Sequence, residues 1–422
     1  MPSFLPSETD LPSEIDPSFM AVDAALRLLQ EGDFHSRWNI AKTLSTLGEV
    51  AVAPLLELLQ TEEETDWELL WFTARILGNL NCASALQGLT QILHQTEHPD
   101  VAAMAISALA NFGSQAIPTL SELLHQPSTR QIAVSTLAQL RHPEVVPLLL
   151  EVLGDPSPII RATAVEALSH FYSPAIQAAL FTALHDPQAA VRQAAVLGIG
   201  IQVSQSETAD PDESITQLEP LLWDLNLEVC RQTVVALARI GNERSVRLLD
   251  RVLQSIHTPT ALQLDIIRNL AWIHHPAALE SLRRFLLQSQ LDADFAADSA
   301  DALVLEAIAV LGRLTEASRP IAAQLLLTLL HTNHPVLQTA RGKQQMIFSL
   351  GQLQQSIATE SLIHLLADPD PGVRFHAIAA LKQLAAPDTL QRLQTAQQTT
   401  SSALQAGIAL ALQEWNLPAS AH

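Results

Sequence analysis

The stretch AAVRQAAVLGIGI, residues 189–201, has two close counterparts earlier in the chain: PIIRATAVEALSHF at 158–171 and STRQIAVSTLAQL at 128–140. Their arginines lie 31 residues apart, and so do the alanines three residues after each arginine. Each stretch places its apolar residues at the spacing of an amphipathic helix. Self-similarity at a fixed period of about 20 to 50 residues is the sequence signature of a repeat protein. The three arginines are Arg130, Arg161 and Arg192.

Each repeat is predicted to be a pair of helices that follows an Asp-Pro loop, as at 155–156, 186–187 and 368–369. Aspartate caps helices well, and proline fits the first helical turn. A Leu-rich phrase such as VVPLLLEVL from Val145 forms the second helix. Two short helices bury their apolar faces only by stacking on neighbouring pairs. We expect an all-α, right-handed α-solenoid of about eleven helix hairpins, with second helices along its concave face.

The composition agrees with helix packing and excludes several classes of function. Of 422 residues, 48% are hydrophobic and only 4% aromatic, so the core must consist of Leu, Ala, Ile and Val. The net charge of −21 disfavours binding to nucleic acid or to anionic membrane surfaces. The sequence contains no run of 18 apolar residues, so we expect no integral membrane segment. Two cysteines make no disulfide framework, which favours a cytoplasmic protein.

The phrase D-P-x-x-x-V-R-x-x-A at 186–195 resembles the HEAT repeat, and the short period resembles the PBS-lyase HEAT-like type first associated with phycobilisome lyases. The resemblance covers residues 20 to 415. It implies a solenoid whose relatives include adaptors, chaperones, lyase subunits and a few enzymes. In that family the loop aspartate and the helix arginine join a hydrogen-bonded ladder between layers. The matching residues here are Asp155 with Arg161, Asp186 with Arg192, and Asp368 with Arg374.

Four segments depart from the repeat. Residues 1–19 are predicted to form a flexible acidic N-terminal tail, and residues 416–422 a C-terminal tail. Residues 202–217 are predicted to be a polar loop, and residues 288–301 an acidic linker. The last two are either tolerated surface insertions or docking loops and hinges.

No motif for catalysis or metal binding stands out. The chain lacks G-x-S-x-G and phosphate-binding glycine loops. Close histidine pairs, such as His94 with His98, occur where a helix ends and the next repeat begins. The deoxyhypusine hydroxylases, which have similar repeats, bind iron through His-Glu dipeptides, and none of the 15 histidines here precedes Glu. We therefore predict no catalytic residue, no metal and no permanent cofactor.

Basic residues concentrate between 231 and 284, where eight arginines face four acids. Guanidinium groups match carboxylates bidentately, so this region suits an acidic partner or the propionates of a bilin. The alternative is a solvated face on which the arginines pair with Glu243, Asp250 and Glu280. The arginines on or beside second helices are Arg244, Arg247, Arg251, Arg283 and Arg284.

An acidic, aromatic segment, TEEETDWELLWF from Thr61, is the second candidate surface. Trp67 and Trp71 lie four residues apart and share a helix face. Tryptophan is enriched at interface hot spots, but it is also a core residue. Both interpretations stay open.

These features predict a non-enzymatic interaction scaffold, adaptor or assembly chaperone that binds a client along the concave face. Its partners would be one or more proteins, including phycobiliproteins or another HEAT-like subunit. The alternative is an E/F-type phycobilin lyase subunit or bilin-handling factor, with phycobilin as a transient ligand. Any enzymatic activity would then be bilin-lyase-like.

Overall fold

A computed structural model describes residues 17–61, 66–205, 210–288, 297–332, 334–384, 388–399 and 401–415. Within these ranges every regular element is helical. The α-helices are α1 Pro17–Glu31, α2 Phe34–Leu47, α3 Val52–Thr61, α4 Trp67–Leu80, α5 Ala83–Gln95, α6 Pro99–Leu109, α7 Ile117–Leu124, α8 Arg130–Leu140, α9 Val146–Glu151, α10 Pro158–Leu168, α11 Pro174–Ala183, α12 Ala189–Gln205, α13 Pro211–Leu218, α14 Leu227–Ile240, α15 Glu243–Leu253, α16 Thr260–Trp272, α17 Pro276–Gln288, α18 Ala297–Gly312, α19 Arg319–Leu330, α20 Ala340–Leu353, α21 Thr359–His364, α22 Pro371–Leu384, α23 Thr389–Thr399 and α24 Ser402–Trp415.

Short 3₁₀ segments precede or extend several second helices, and one precedes a first helix, α20. They span Gly48–Ala51, Ala110–Ala116, Pro143–Val145, Val152–Gly154, Glu219–Trp223, Glu316–Ser318, Pro335–Gln338, Ser356–Ala358 and Leu365–Ala367.

The helices alternate as first and second helices of a repeat, and the fold is an all-α solenoid. The even-numbered helices α2 to α22 are first helices, and each is followed by a second helix. The described part of the chain thus holds eleven pairs, in agreement with the predicted eleven units. Helix α1 precedes the first pair, so the first predicted unit, from residue 20, contains one helix more than expected. Helix α24 closes the series and packs against α22.

The chain divides into two compact units, Met1–Gly198 and Ile199–His422. In the first unit, helices α2, α4, α6, α8 and α10 pack on one another in sequence, and α3 packs on α5. In the second unit, the same order holds for α14, α16, α18, α20, α22 and α24, and α15, α17 and α19 form a row of second helices.

Small residues at the seams let first helices approach closely. Ala133, Ala164 and Ala195, the alanines of the 31-residue period, are fully buried. At Gly78 of α4, an added Cβ would lie 2.6 Å from the Cβ of Ala108 in α6. A larger side chain at such a position has no space unless the two helices separate.

The polar segment 202–217 is more helical than predicted. Helix α12 extends to Gln205, and α13 begins at Pro211 after the capping residue Asp210, whose carboxylate accepts the Asp212 N–H. The segment is mostly polar, but its Ile215 is buried on α13 together with Leu218, which directly follows the segment. The prediction of a loop over the whole segment was therefore wrong, and residues 206–209 lie outside the described residues.

The predicted linker 288–301 is also partly helical. Helix α17 ends at Gln288 and α18 begins at Ala297, so the end of the predicted linker 288–301 is helical. Residues 289–296 lie outside the described residues, as do 1–16 of the N-terminal tail and 416–422.

By length and composition, one described helical stretch is apolar enough to cross a membrane: Pro99–Leu124, with a mean hydropathy of 1.2. It comprises α6 and α7, and the chain turns between them at Gly113, which has φ 57° and ψ −134°. These residues form one helical hairpin of the first unit, where α6 packs against both α4 and α8.

Candidate functional site

A ladder of hydrogen bonds joins the loops of successive repeats. Arg161 donates from Nε and Nη2 to the two carboxylate oxygens of Asp186, each at 2.8 Å, and from Nη1 to the carbonyl of Asp155 at 2.8 Å. The hydrogen bond from Arg161 holds the pKa of Asp186 below its ordinary value, because it favours the charged carboxylate. These groups have a structural role, since they connect one repeat to the next.

An arginine six residues after a loop aspartate contacts the main chain of that aspartate and not its carboxylate. Arg192 and Arg374 donate to the main-chain carbonyls of Asp186 and Asp368, both at 2.8 Å. The carboxylate of each loop accepts instead from a cation 25 residues earlier, as Asp155 does from Arg130.

The loop aspartates also do not occupy the capping position. Asp155 accepts the N–H of Ser157, and it is Ser157 that precedes helix α10. The expectation that Asp-Pro begins the helix directly was therefore wrong, because the carboxylate forms the turn before it and receives the arginine.

The structure brings the five predicted arginines onto two adjacent second helices, α15 and α17, but each has an acidic neighbour. Arg247 pairs with Glu243 at 2.7 Å, and Arg284 with Asp250 at 2.6 Å. Arg283 pairs with Glu280 at 2.7 Å, and this hydrogen bond lowers the pKa of Glu280.

The remaining two arginines pair with acids that are distant in sequence. Arg251 contacts Glu219 at 3.0 Å, and Arg244 lies 3.5 Å from Asp212. Helix α13 and its 3₁₀ extension supply these two carboxylates. The geometry fits the interpretation of a solvated, internally paired face. One side of it adjoins a groove of about 460 Å³ between α17 and α19, lined in part by Arg283 and Ile321.

The two predicted tryptophans lie on a first helix, α4, and not on a second helix. Trp67 is 45% exposed, whereas the neighbouring Phe72 is fully buried and Trp71 is half-buried. Trp71 stacks on Trp38 of α2, with ring centroids 6.5 Å apart and planes at 21°. Trp67 stacks on His98 at 4.7 Å. One edge of the cluster is therefore buried, and the other is exposed, so both interpretations of the tryptophans stay predictions.

An open pocket of about 400 Å³ lies beside this cluster, and we call it the aromatic pocket. It belongs to the first unit, and helices α2, α4 and α6 contribute its walls. None of the described residues that line it is basic. They are Phe34, Trp67, Glu68, Trp71, Phe72, Asp100, Ala103, Met104 and Ser107.

Two cations beside the aromatic cluster are already engaged. The guanidinium of Arg75 lies 3.7 Å from the ring centroid of Trp38. Arg37 is buried, and it donates to Asp66 and Glu68. Asp100, at the start of α6, has no hydrogen-bond or ion-pair partner among the residues the structure describes.

Sequence reasoning did not find Phe34, Asp100 or Met104. A signal for them exists at a period of 33 residues, which places Phe34, Trp67 and Asp100 at one repeat position. Trp38, Trp71 and Met104 occupy the position one helical turn later. The later repeats have a period of 31 residues, which does not align these residues. Their relation is visible only when the first helices of the repeats are compared position by position.

The histidines of the described part of the chain do not cluster with other side chains that could bind a metal. In the described part of the chain, no group of three or more His, Cys, Asp or Glu side chains is arranged to hold a metal ion. His334 is buried, its ring accepts the N–H of Val336, and burial lowers its pKa.

The sequence matches the family of HEAT repeats over residues 58–130, 125–200 and 338–413, more than half of the chain. None of the curated proteins matches it significantly. Among solved structures, Kap121p is similar, with a TM-score of 0.58 and 14% identity over 93% of this chain and 48% of that chain. A structure that describes Kap95p binding to RanGDP has a TM-score of 0.57 and 13% identity, over 93% of this chain and 60% of that chain.

An engineered protein is 19% identical over 86% of this chain and 98% of its own, with a TM-score of 0.37. This chain spans less than two thirds of the length of the two Kap proteins. At such low identities the likeness concerns the fold alone.

Proposed function

This chain belongs to the HEAT-repeat proteins, and on that basis we propose that it is a non-enzymatic interaction scaffold that binds a protein client. A solenoid presents a long surface built from many repeats, and each repeat contacts only its neighbours. The similar fold of Kap95p holds a protein, RanGDP.

The observation that carries the proposal is the aromatic pocket. Two of the six tryptophans of the chain, Trp67 and Trp71, line it, and a third, Trp38, packs on Trp71, although aromatic residues are only 4% of the sequence. A folded protein gains little by exposing a tryptophan, whereas exposed aromatic side chains that line a pocket are typical hot spots of protein interfaces. This pocket lies on first helices, so the client would bind there and not along the second helices of the predicted concave face. Indole rings and carboxylates line the pocket, which is the chemistry of a docking site.

The charge of the first 100 residues of the sequence favours a basic segment of the client. Residues 1–100 contain sixteen acids and four basic residues. Complementary charge accelerates encounter and suppresses wrong partners. The client therefore docks through a basic, partly apolar segment, and not through an acidic one as the arginines of α15 and α17 suggested.

Quantitative capture of partners from lysate of the native host tests the proposal. A tagged chain is compared at low salt with Trp67→Ala, and the recovered proteins are measured by mass spectrometry. We expect Trp67→Ala to lower the recovery of a stoichiometric partner about tenfold, as truncation of a hot-spot tryptophan does.

The matched control is Trp272→Ala, because Trp272 is 79% exposed and lies in the second unit, outside the aromatic pocket. It should recover the partner as the parent does. Equal recovery by all three proteins would show that the client does not use this pocket. Thermal unfolding of each variant verifies that its fold is retained.

The adaptor and assembly-chaperone roles, a phycobiliprotein client and a cytoplasmic location stay predictions at a finer level. The bilin-handling alternative would use the arginines of α15 and α17 to hold propionates. Each of these arginines already has a carboxylate neighbour. A propionate would have to displace that neighbour, so we rank this alternative second.

A further inference from the structure

We propose that the aromatic pocket binds the alkylammonium side chain of a lysine in the client, with the ammonium group against the indole rings and near Asp100. This inference names the chemistry of the docking site and rests on the proposed function. It depends on three features of the site: the available ring faces, the uncompensated carboxylate and a cation that the same cluster already binds.

The ring faces come first. One face of Trp67 is covered by His98, whose ring is nearly parallel to it at 7°. Trp71 packs against Trp38 on one side and makes an edge contact with Phe72 at 86°. Both indoles also line the pocket. An alkylammonium group over an indole face is attracted by the ring quadrupole, and tryptophan gives the strongest interaction of this kind.

The carboxylate comes second. Asp100 lines the pocket and has no partner among the described residues, and Glu68 beside it shares the guanidinium of Arg37 at 3.3 Å. Asp100 therefore adds a negative charge beside the apolar rings that none of the described residues of the pocket lining balances. Such a wall attracts a group that is both cationic and partly apolar, and a lysine side chain has these properties.

The third feature is a cation of the chain itself that the aromatic cluster already binds. Arg75 places its guanidinium 3.7 Å from the Trp38 centroid and 5.8 Å from that of Trp71. The same aromatic cluster thus already stabilises one cation, on the side of Trp38. The pocket offers the side of Trp67 and Trp71, and none of the described residues that line it is basic.

The test uses the full chain, labelled with ¹⁵N, and three short glycine-serine peptides that differ only in their central residue. That residue is lysine, trimethyl-lysine or the uncharged carbon isostere of trimethyl-lysine. Indole N–H signals report binding at each of the six tryptophans. We expect both cationic peptides to shift the signals of Trp67 and Trp71. The trimethyl-lysine peptide should bind about 5- to 30-fold more tightly than its neutral isostere.

The variant Asp100→Asn keeps the size of the side chain and removes its charge. It should weaken both cationic peptides severalfold and leave the neutral peptide unchanged. Glu97→Gln is the matched control, because Glu97 is exposed, lies three residues away and does not line the pocket. It should bind all three peptides as the parent does.

The inference is overturned if the neutral isostere binds as tightly as trimethyl-lysine, or if millimolar cationic peptide leaves the indole signals of Trp67 and Trp71 in place. If Trp67→Ala still loses the client in that case, the pocket is an apolar docking site and the proposed function stands without a lysine. If the peptides bind as expected but Trp67→Ala retains the client, the scaffold proposal for this pocket fails on its own.

Discussion

Asp186 and Arg161 form the best-defined ion pair of the repeat ladder, and both side chains are only 11% exposed. The two oxygens of Asp186 receive the guanidinium in a bidentate arrangement, which fixes the position of one loop on the next. An interaction of this kind differs from the exposed pair of Arg247 and Glu243, which water and salt screen.

Asp186→Asn should lower the free energy of unfolding by about 2 kcal/mol at neutral pH, because it removes hydrogen bonds to a charged group. The folded-state pKa of Asp186 is depressed. Its stabilising contribution is therefore present above the unfolded-state value of about 3.9 and is lost as the pH falls through the folded-state value. The difference between parent and variant should shrink below about pH 4 in denaturant titrations.

Glu243→Gln serves as the control for this measurement. It removes a carboxylate that is 59% exposed, and the change in stability should stay within about 0.5 kcal/mol. An equal loss of stability in both variants would mean that the ladder is no stronger than an ordinary surface pair.

At the scale of the element, the contact between first helices limits which residues fit the seam. Gly78 of α4 faces Ala108 of α6, and Gly312 of α18 faces Ser349 of α20 in the second unit. In each case an added Cβ would lie closer than 3.0 Å to a side-chain atom of the neighbouring helix. The composition rich in alanine thus follows from the distance between the helices.

Gly78→Ala should destabilise the protein by about 1–3 kcal/mol, because the new methyl group forces α4 and α6 apart. Gly154→Ala is the matched control, since the space around Gly154 is open for at least 4 Å. It should be neutral or slightly stabilising, because alanine reduces the freedom of the unfolded chain. Calorimetric unfolding of the two variants distinguishes them, and identical transitions would refute the close approach of the two helices.

At the scale of the whole molecule, the acidic balance of the sequence and the internal pairing of the arginines act together. The net charge is −21, and the five arginines of α15 and α17 pair with carboxylates of their own or of neighbouring helices. A free anion therefore meets an acidic molecule without an uncompensated basic site on α15 or α17.

Addition of a phycobilin to the full chain should therefore leave the visible spectrum of the bilin unchanged. The double variant Arg247→Glu with Arg283→Glu should give the same spectrum as the parent, because neither arginine is available for a propionate. A spectral shift in the parent that disappears in the double variant would instead establish the bilin-handling alternative. The measurement should include a candidate apo-phycobiliprotein as a second condition.

The sequence by itself determined the repeat and its helices, because amphipathic spacing and the 31-residue period are local properties of the chain. It also identified the seam alanines and the loop aspartates, but not the cation 25 residues earlier that each loop carboxylate contacts. It misjudged residues 202–217, where the buried Ile215 of α13 stands among polar residues.

Only the tertiary structure decided what surrounds the candidate side chains. Arg251 and Glu219 lie 32 residues apart in sequence but 3.0 Å apart in space. The stacking of second helices thus pairs an arginine that has a positive excess around it in the sequence with a carboxylate of another repeat. Stacking of first helices likewise brings Trp67 beside Asp100 and Met104 to form the aromatic pocket. The physical reason is that burial and charge compensation arise between repeats, whereas the sequence pattern specifies each repeat separately.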